Sequence, residues 1–221
     1  MTDFAALRRM MVDGQVRTAD VTDPDLLTAM LGVARERFVP PEKASLAYLD
    51  LDVVVSEPGR PVRRLLKPMV LAKLLQAAEV GVSDRVLDVG CATGYSTALI
   101  SRLCASVVGL EDDAGLVRQA SETLGALGID NAHIVTGPLT RGWPNEGPYD
   151  LIVLQGSSEL VPEMLRGQLK NEGRLVCVLG SGPSGKAMLY RRIDDELSGR
   201  PVFDASAPQL PGFVKPPEFV F

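Results

Sequence analysis

The chain has 221 residues, 46% of them hydrophobic, and a formal net charge of −5. That length and apolar share suffice for one sizeable core in a domain of ordinary size, and the acidic balance argues against a nucleic-acid-binding surface as the main function. Met1–Met10 lacks the apolar centre of a signal peptide and no run approaches a membrane span, so a cytoplasmic protein with no membrane partner is expected.

In chain order, residues 4–13 show helical periodicity. Asp23 as N-cap and Pro24 in the first turn predict a helix over 25–37, closed by Phe38-Val39-Pro40-Pro41. These helices are too few for a core of their own and are expected to pack on a main sheet. The segment from Val53 to Arg64 carries Ser56-Glu57-Pro58-Gly59-Arg60-Pro61 without periodicity, which predicts a surface loop. A helix follows from Pro68 through Ala78.

From Val86 onward strand and helix alternate. Strands are predicted over 86–90, 106–110, 132–136, 149–154 and 173–179, and helices over 95–103, 113–127 and 159–170. That order predicts an α/β fold with a mostly parallel sheet and right-handed crossovers. Residues 180–185 form a glycine-rich turn without P-loop spacing, and Ala187 stands where a P-loop hydroxyl would. Lys186–Ile193 alternates like an antiparallel edge strand. The tail from Val202, with Phe203, Phe213, Phe219 and Phe221, is expected to cross the sheet edge as a strand and an ordered loop. Cys91, Cys104 and Cys177 lie in apolar stretches and read as reduced core residues, while the single histidine, His133, cannot build a metal site, so no metal is expected. Trp143, between Gly142 and Pro144, reads as a packing anchor.

The chemistry concentrates where Val86-Leu87-Asp88-Val89 runs into Gly90-Cys91-Ala92-Thr93-Gly94 and then into the helix opened by Tyr95. A strand, a glycine turn and a helix put backbone N–H groups at the strand's C-terminal edge, where open α/β sheets bind ligands. The spacing is not the dinucleotide fingerprint, because Ala92 holds its second glycine position. It is Asp-x-Gly-x-x-x-Gly, followed by Glu111 at the end of the next apolar run, where a carboxylate can accept hydrogen bonds from both hydroxyls of a ribose. The arrangement resembles the S-adenosylmethionine site of Rossmann-like methyltransferases. The alternative is a doubly wound domain for another nucleotide, or for none.

Two further stretches narrow the resemblance. Met10-Met11-Val12-Asp13-Gly14-Gln15-Val16-Arg17, Asp23–Met30, Glu36-Arg37-Phe38-Val39-Pro40 and Ala47-Tyr48-Leu49-Asp50 resemble the N-terminal extension of protein-L-isoaspartate O-methyltransferases. Gly142-Trp143-Pro144, Pro148–Val153 and Gln168–Val176 fit the same family in the same order. The resemblance implies a Rossmann-like fold whose residues 1–80, helices and a substrate loop, pack on a core of residues 81–221 within one compact domain. It implies methyl transfer from S-adenosylmethionine to the α-carboxylate of isoaspartyl residues in proteins, leaving S-adenosylhomocysteine. Asp88, Gly90, Cys91, Ala92 and Gly94 would surround the methionine and ribose, Glu111 would hold the ribose hydroxyls, and Asp112 would lie near the adenine edge.

The same comparison shows departures. Where the family has an Asp-Gly pair beside adenine, this chain has Pro138-Leu139, so backbone or apolar contact would hold the base. Where the family's substrate loop ends Gly-Gln-Thr-Ile-Ser, this chain reads Arg63-Arg64-Leu65-Leu66-Lys67, and Leu66 replaces the serine. Gln155-Gly156-Ser157 stands where Thr-Ala-Ala is usual. Three readings compete. In the first, Arg63, Arg64 or Lys67 grips the substrate carboxylate in place of the hydroxyls, for which arginine's planar fork is suited. In the second the methyl acceptor is a different molecule. In the third the chain binds the cofactor without transferring methyl groups. The oligomeric state is not readable from the sequence.

Overall fold

A computed structural model describes residues 2–161, 163–180 and 182–215. The chain opens with α1 (Phe4–Met11), a π-helical turn over Val12–Val16, and α2 (Pro24–Gly32). Asp23 caps α2 as predicted, its Oδ1 accepting the N–H groups of Asp25 and Leu26 at 2.9 and 3.1 Å. The helix stops at Gly32, short of the predicted Arg37, and a separate 3₁₀ turn over Arg35–Phe38 carries Arg35 and Phe38 into the core.

The segment predicted as a surface loop is more ordered than that. β1 (Val53–Val54) and β2 (Arg64–Leu65) pair antiparallel, and Val53, Val55, Ser56 and Arg63 are all buried. Two-residue strands have no periodicity to detect, so only the tip, Glu57–Val62, matches the expectation. α3 spans Pro68–Ala78.

The main sheet comprises β3 (Arg85–Val89), β4 (Ser106–Glu111), β5 (Ala132–Thr136), β6 (Tyr149–Ser158), β7 (Leu169–Leu179), β8 (Lys186–Ile193) and β9 (Glu196–Asp204). Its order is β5-β4-β3-β6-β7-β8-β9, parallel from β5 to β7 and antiparallel beyond. α4 (Tyr95–Ile100) and α5 (Ala114–Ala126) make the crossovers on one side of β3, and α6 (Glu163–Arg166) connects β6 to β7. Two boundaries differ from the prediction. The helix expected over 159–170 is the single turn of α6, and β7 takes over at Leu169. β8 is interior, because β9 adds a further strand and becomes the edge.

Both faces of the central strands β3, β4 and β6 are covered, which is why they read as continuous apolar runs. Val86, Val107, Leu151, Val153 and Val176 face the N-terminal helices, α3, α4 and α5. Leu87, Val89, Val108, Ile152, Leu154 and Leu175 face the other way, onto Leu139, Leu165, Leu210 and Phe213. The tail does cross the sheet: Leu210 N–H donates to Ser157 O at 2.9 Å, Ser157 N–H donates to Pro208 O at 2.7 Å, and Phe213 is fully buried. Phe219 and Phe221 lie outside the described residues. All three cysteines are free and buried, no group of potential metal ligands occurs among the described residues, and no described helix is long and apolar enough to cross a membrane.

Candidate functional site

The strand order reverses between β3 and β6, so their C-terminal ends flank the crevice where doubly wound sheets bind ligands. Gly90 (φ +78°) turns the chain out of β3, and Gly94 (φ +89°) caps α4. The two glycines do different work. A side chain on Gly94 would lie 3.1 Å from Ala120 Cβ, so this glycine lets α4 dock on α5 rather than meeting a ligand. Gly90 faces the crevice.

Asp88 is fully buried at the floor. Its Oδ2 accepts the hydroxyls of Ser96 and Thr97, both at 2.7 Å, and its Oδ1 accepts the Gln155 amide at 2.6 Å. Burial pushes its carboxyl upward and these three donors pull it back. Asp88 thereby ties β3, α4 and β6 together beneath the turn. The Cys91 thiol is turned onto β4, where a side chain on Gly109 would lie 3.1 Å from its Sγ, and burial raises it well above its ordinary range. Ala92 (φ +51°) aims its N–H at Glu111.

Glu111, at the end of β4, has no solvent exposure. Its Oε2 accepts the Ala92 N–H at 2.8 Å and Nη2 of Arg63 at 2.6 Å, and its Oε1 accepts the N–H groups of Asp112 and Asp113 at 3.0 and 3.4 Å. A carboxylate offers about four lone-pair sites, so every one is engaged. Burial raises its carboxyl to about 7 against the pull of the Arg63 guanidinium. Asp112 is exposed at the rim, Leu139 is buried beside Gly90, and Pro138 is exposed.

The three substrate-loop residues separate. Arg63 is buried and turned to Glu111, on the nucleoside side of the crevice, so it does not stand free for a substrate carboxylate as the first sequence reading allowed. Arg64 is exposed, and with Leu66, Tyr95 and Gln155 it lines a cavity of about 10 Å³ next to Gly90. Leu66 is buried, and its carbonyl accepts a hydrogen bond from Nη2 of Arg35 at 2.7 Å.

Sequence reasoning missed Arg35. It is fully buried, donates through Nε to Ala47 O at 2.7 Å, and lies 4.5 Å from the centre of the Tyr95 ring. Desolvation lowers its pKa, yet it keeps two carbonyls and an aromatic face in place of a carboxylate partner. Gln155 and Leu210 were also missed as site residues; a Cβ on Gly90 would lie 2.7 Å from Leu210 Cδ2 and 3.0 Å from Arg63 Nη2.

Comparison with known proteins decides the family. The model of the family described as protein-L-isoaspartate(D-aspartate) O-methyltransferase (PCMT) matches residues 8–204. The chain belongs to this family. Among protein-L-isoaspartate O-methyltransferases, that of Pelotomaculum thermopropionicum is 36% identical over 191 residues, covering 86% of this chain and 82% of the relative. That of Geotalea uraniireducens is 34% identical over 195 residues, covering 88% and 87%. A solved protein-L-isoaspartate O-methyltransferase structure superposes with a TM-score of 0.80 at 26% identity, covering 94% of this chain and 65% of that one. A Plasmodium falciparum structure, described as a complex with S-adenosyl-L-homocysteine, has the same fold, with a TM-score of 0.75 at 21% identity and coverage of 95% and 99%. The Rossmann-like methyltransferase fold and the isoaspartyl-methyltransferase family read from the sequence both hold.

The donor set suits the family's cofactor. Glu111 ends β4 beside the Gly90 turn and accepts the Ala92 N–H, and buried Leu139 adds an apolar surface next to Gly90. Nε of Arg63 is buried without a hydrogen-bond partner among the described residues, while the Tyr95 hydroxyl faces the Arg35 guanidinium.

Proposed function

We propose that the chain is an S-adenosylmethionine-dependent O-methyltransferase acting on the α-carboxylate of isoaspartyl residues in proteins or peptides in the cytoplasm, without nucleic-acid or membrane partners. The observation carrying this reading is the Asp88–Gly90–Glu111 arrangement at the β3/β6 crevice of a chain whose family match spans residues 8–204. S-adenosylmethionine, when bound, supplies a sulfonium methyl that is already electrophilic.

The protein's own share is then placement. A carboxylate acceptor is ionised at neutral pH, so no general base is needed, in keeping with a crevice whose described residues include no histidine. The gain comes from alignment and exclusion of water. The Asp88 tie fixes the floor, Tyr95 and Leu66 wall the acceptor end in this reading, and exposed Arg64 lines the same small cavity. Arg64 takes the substrate carboxylate in this reading, because Leu66 offers no hydroxyl and Arg63 is engaged with Glu111. A second reading, a cofactor-binding homologue without transfer, is favoured by Leu66 at the serine position and by the closed surface over Gly90.

The test is transfer of a labelled methyl group from S-adenosylmethionine to an isoaspartyl peptide beside its aspartyl twin. Transfer to the isoaspartyl form alone, lost in Arg64→Ala, is the expected result. Absence of transfer by a sample shown to bind S-adenosylhomocysteine would favour the second reading.

A further inference from the structure

The donor set at the crevice suits a nucleoside, but the space does not stand free. The fourth lone pair of Glu111 belongs to Arg63, and the surface of Gly90 carries Leu210 Cδ2 and Arg63 Nη2 at near-contact distance. Three of the four bonds to Glu111 come from backbone N–H groups of its own loop and the adjoining turn, which are built in. Arg63 is the one side-chain donor. We propose that Arg63 and Leu210 are an internal occupant of the nucleoside site, so that the ribose of S-adenosylmethionine gains Glu111 only by displacing the Arg63 guanidinium. The inference rests on the cofactor reading above.

The two side chains are held from opposite directions. Arg63 is fixed by its backbone, its N–H donating to Ser56 Oγ at 3.0 Å and its carbonyl accepting the Val55 N–H at 2.9 Å. Leu210 is fixed by the pairing of its segment with Ser157 and by buried Phe213. In each case the backbone is anchored and the intruding atoms are the far end of a flexible side chain, so rotation about side-chain bonds alone clears Gly90. Arg63 also has somewhere to go. A cavity of about 340 Å³ lies on its outer side, with Asp112 and Asp113 among its walls. The occupant is imperfectly satisfied where it sits, since Nε of Arg63 is buried without a partner, and an unmade buried bond makes a bound state easier to leave.

The consequence is a reduced apparent affinity. When only a fraction of molecules is open, the apparent dissociation constant is the intrinsic one divided by that fraction. If about one molecule in ten is open, removing the occupant tightens binding about tenfold.

The experiment is calorimetric titration of the full chain with S-adenosylhomocysteine, for the wild type, Arg63→Ala and Leu210→Ala. The expected result is binding about tenfold tighter in Arg63→Ala and several-fold tighter in Leu210→Ala. Leu210→Ala keeps the Arg63–Glu111 pair intact and tests the apolar half of the occupant; Arg63→Met, which keeps an unbranched stem without the guanidinium, carries the test of the Arg63 half if Arg63→Ala compromises folding in a thermal melt. Wild-type binding as tight as, or tighter than, both folded variants would overturn the occupant while leaving the cofactor reading in place. Absence of binding by all three would overturn both.

Discussion

Asp88 is the side chain on which the crevice floor depends, and its replacement separates hydrogen-bond acceptance from charge. Asp88→Ala removes the acceptor for the Ser96 and Thr97 hydroxyls and the Gln155 amide. Each buried donor left without a partner costs about 1–3 kcal/mol. The two hydroxyls sit in the first turn of α4 and can swing to carbonyls of the preceding turn, whereas Gln155 is fixed in β6. A total loss of about 3–5 kcal/mol follows, one full orphan plus two partial ones and a small void. Asp88→Asn has the same shape, keeps an oxygen toward Gln155 and turns its amide toward hydroxyls that can rotate to accept. It also withdraws a buried charge, so its net cost is about 1 kcal/mol. For a chain of this length the gap of about 3 kcal/mol corresponds to a difference in Tm of about 6–12 °C. Urea titrations with unchanged slope, together with thermal melts, measure it. Equal losses in the two variants would refute the reasoning, since they would place the effect in the charge and not in the number of acceptors.

Two further expectations follow from the same site. Glu111 has its carboxyl raised to about 7 by burial, above the ordinary 4.5, so the folded chain takes up a proton that the unfolded chain releases. Stability from this group is therefore greatest below about pH 4.5 and declines as pH rises to 7; the Tm difference between wild type and Glu111→Gln should shrink over that interval and level off above it, and parallel Tm–pH curves would contradict the assignment. Arg35→Lys keeps a charge but cannot fork to both the Ala47 and Leu66 carbonyls; a loss of about 2 kcal/mol is expected, with faster tryptic cleavage after Arg64 as the loop end loosens. Unchanged cleavage would show that Leu66 is held by packing instead.

The frame of the site was legible because its signals are local. Asp23-Pro24 states a helix start, and Asp88, Gly90 and Glu111 sit at fixed offsets around one strand–turn–helix unit and the strand after it. What escaped depends on distant partners. Nothing near Arg63 announces Glu111, and the loop containing it pairs through strands too short to show a period. Arg35 fell inside the helix expected over 25–37, and the break at Gly32 that turns it inward is a tertiary outcome. The helix predicted over 159–170 failed because Leu160, Met164, Leu165 and Leu169 have helical spacing while β7 claims Leu169 by pairing it with Tyr149. The edge strand expected from Val202 begins earlier, at Glu196, and carries Gly199 and Pro201; an outermost position, with a register shift opposite Pro201, accommodates both.

The segment that brings Leu210 to Gly90 has a consequence for the order in which the molecule is made. Synthesis runs from the N-terminus and structure accumulates in that direction. The glycine turn, Glu111 and Arg63 all precede β6, whereas Pro208–Phe213 follows β9. While β7, β8 and β9 are being translated, the C-terminal ends of β3 and β6 that Leu210 will cover have no cover from that segment. A growing chain therefore meets its surroundings with Arg63 alone over Gly90, and Leu210 joins it only after β9 has been made.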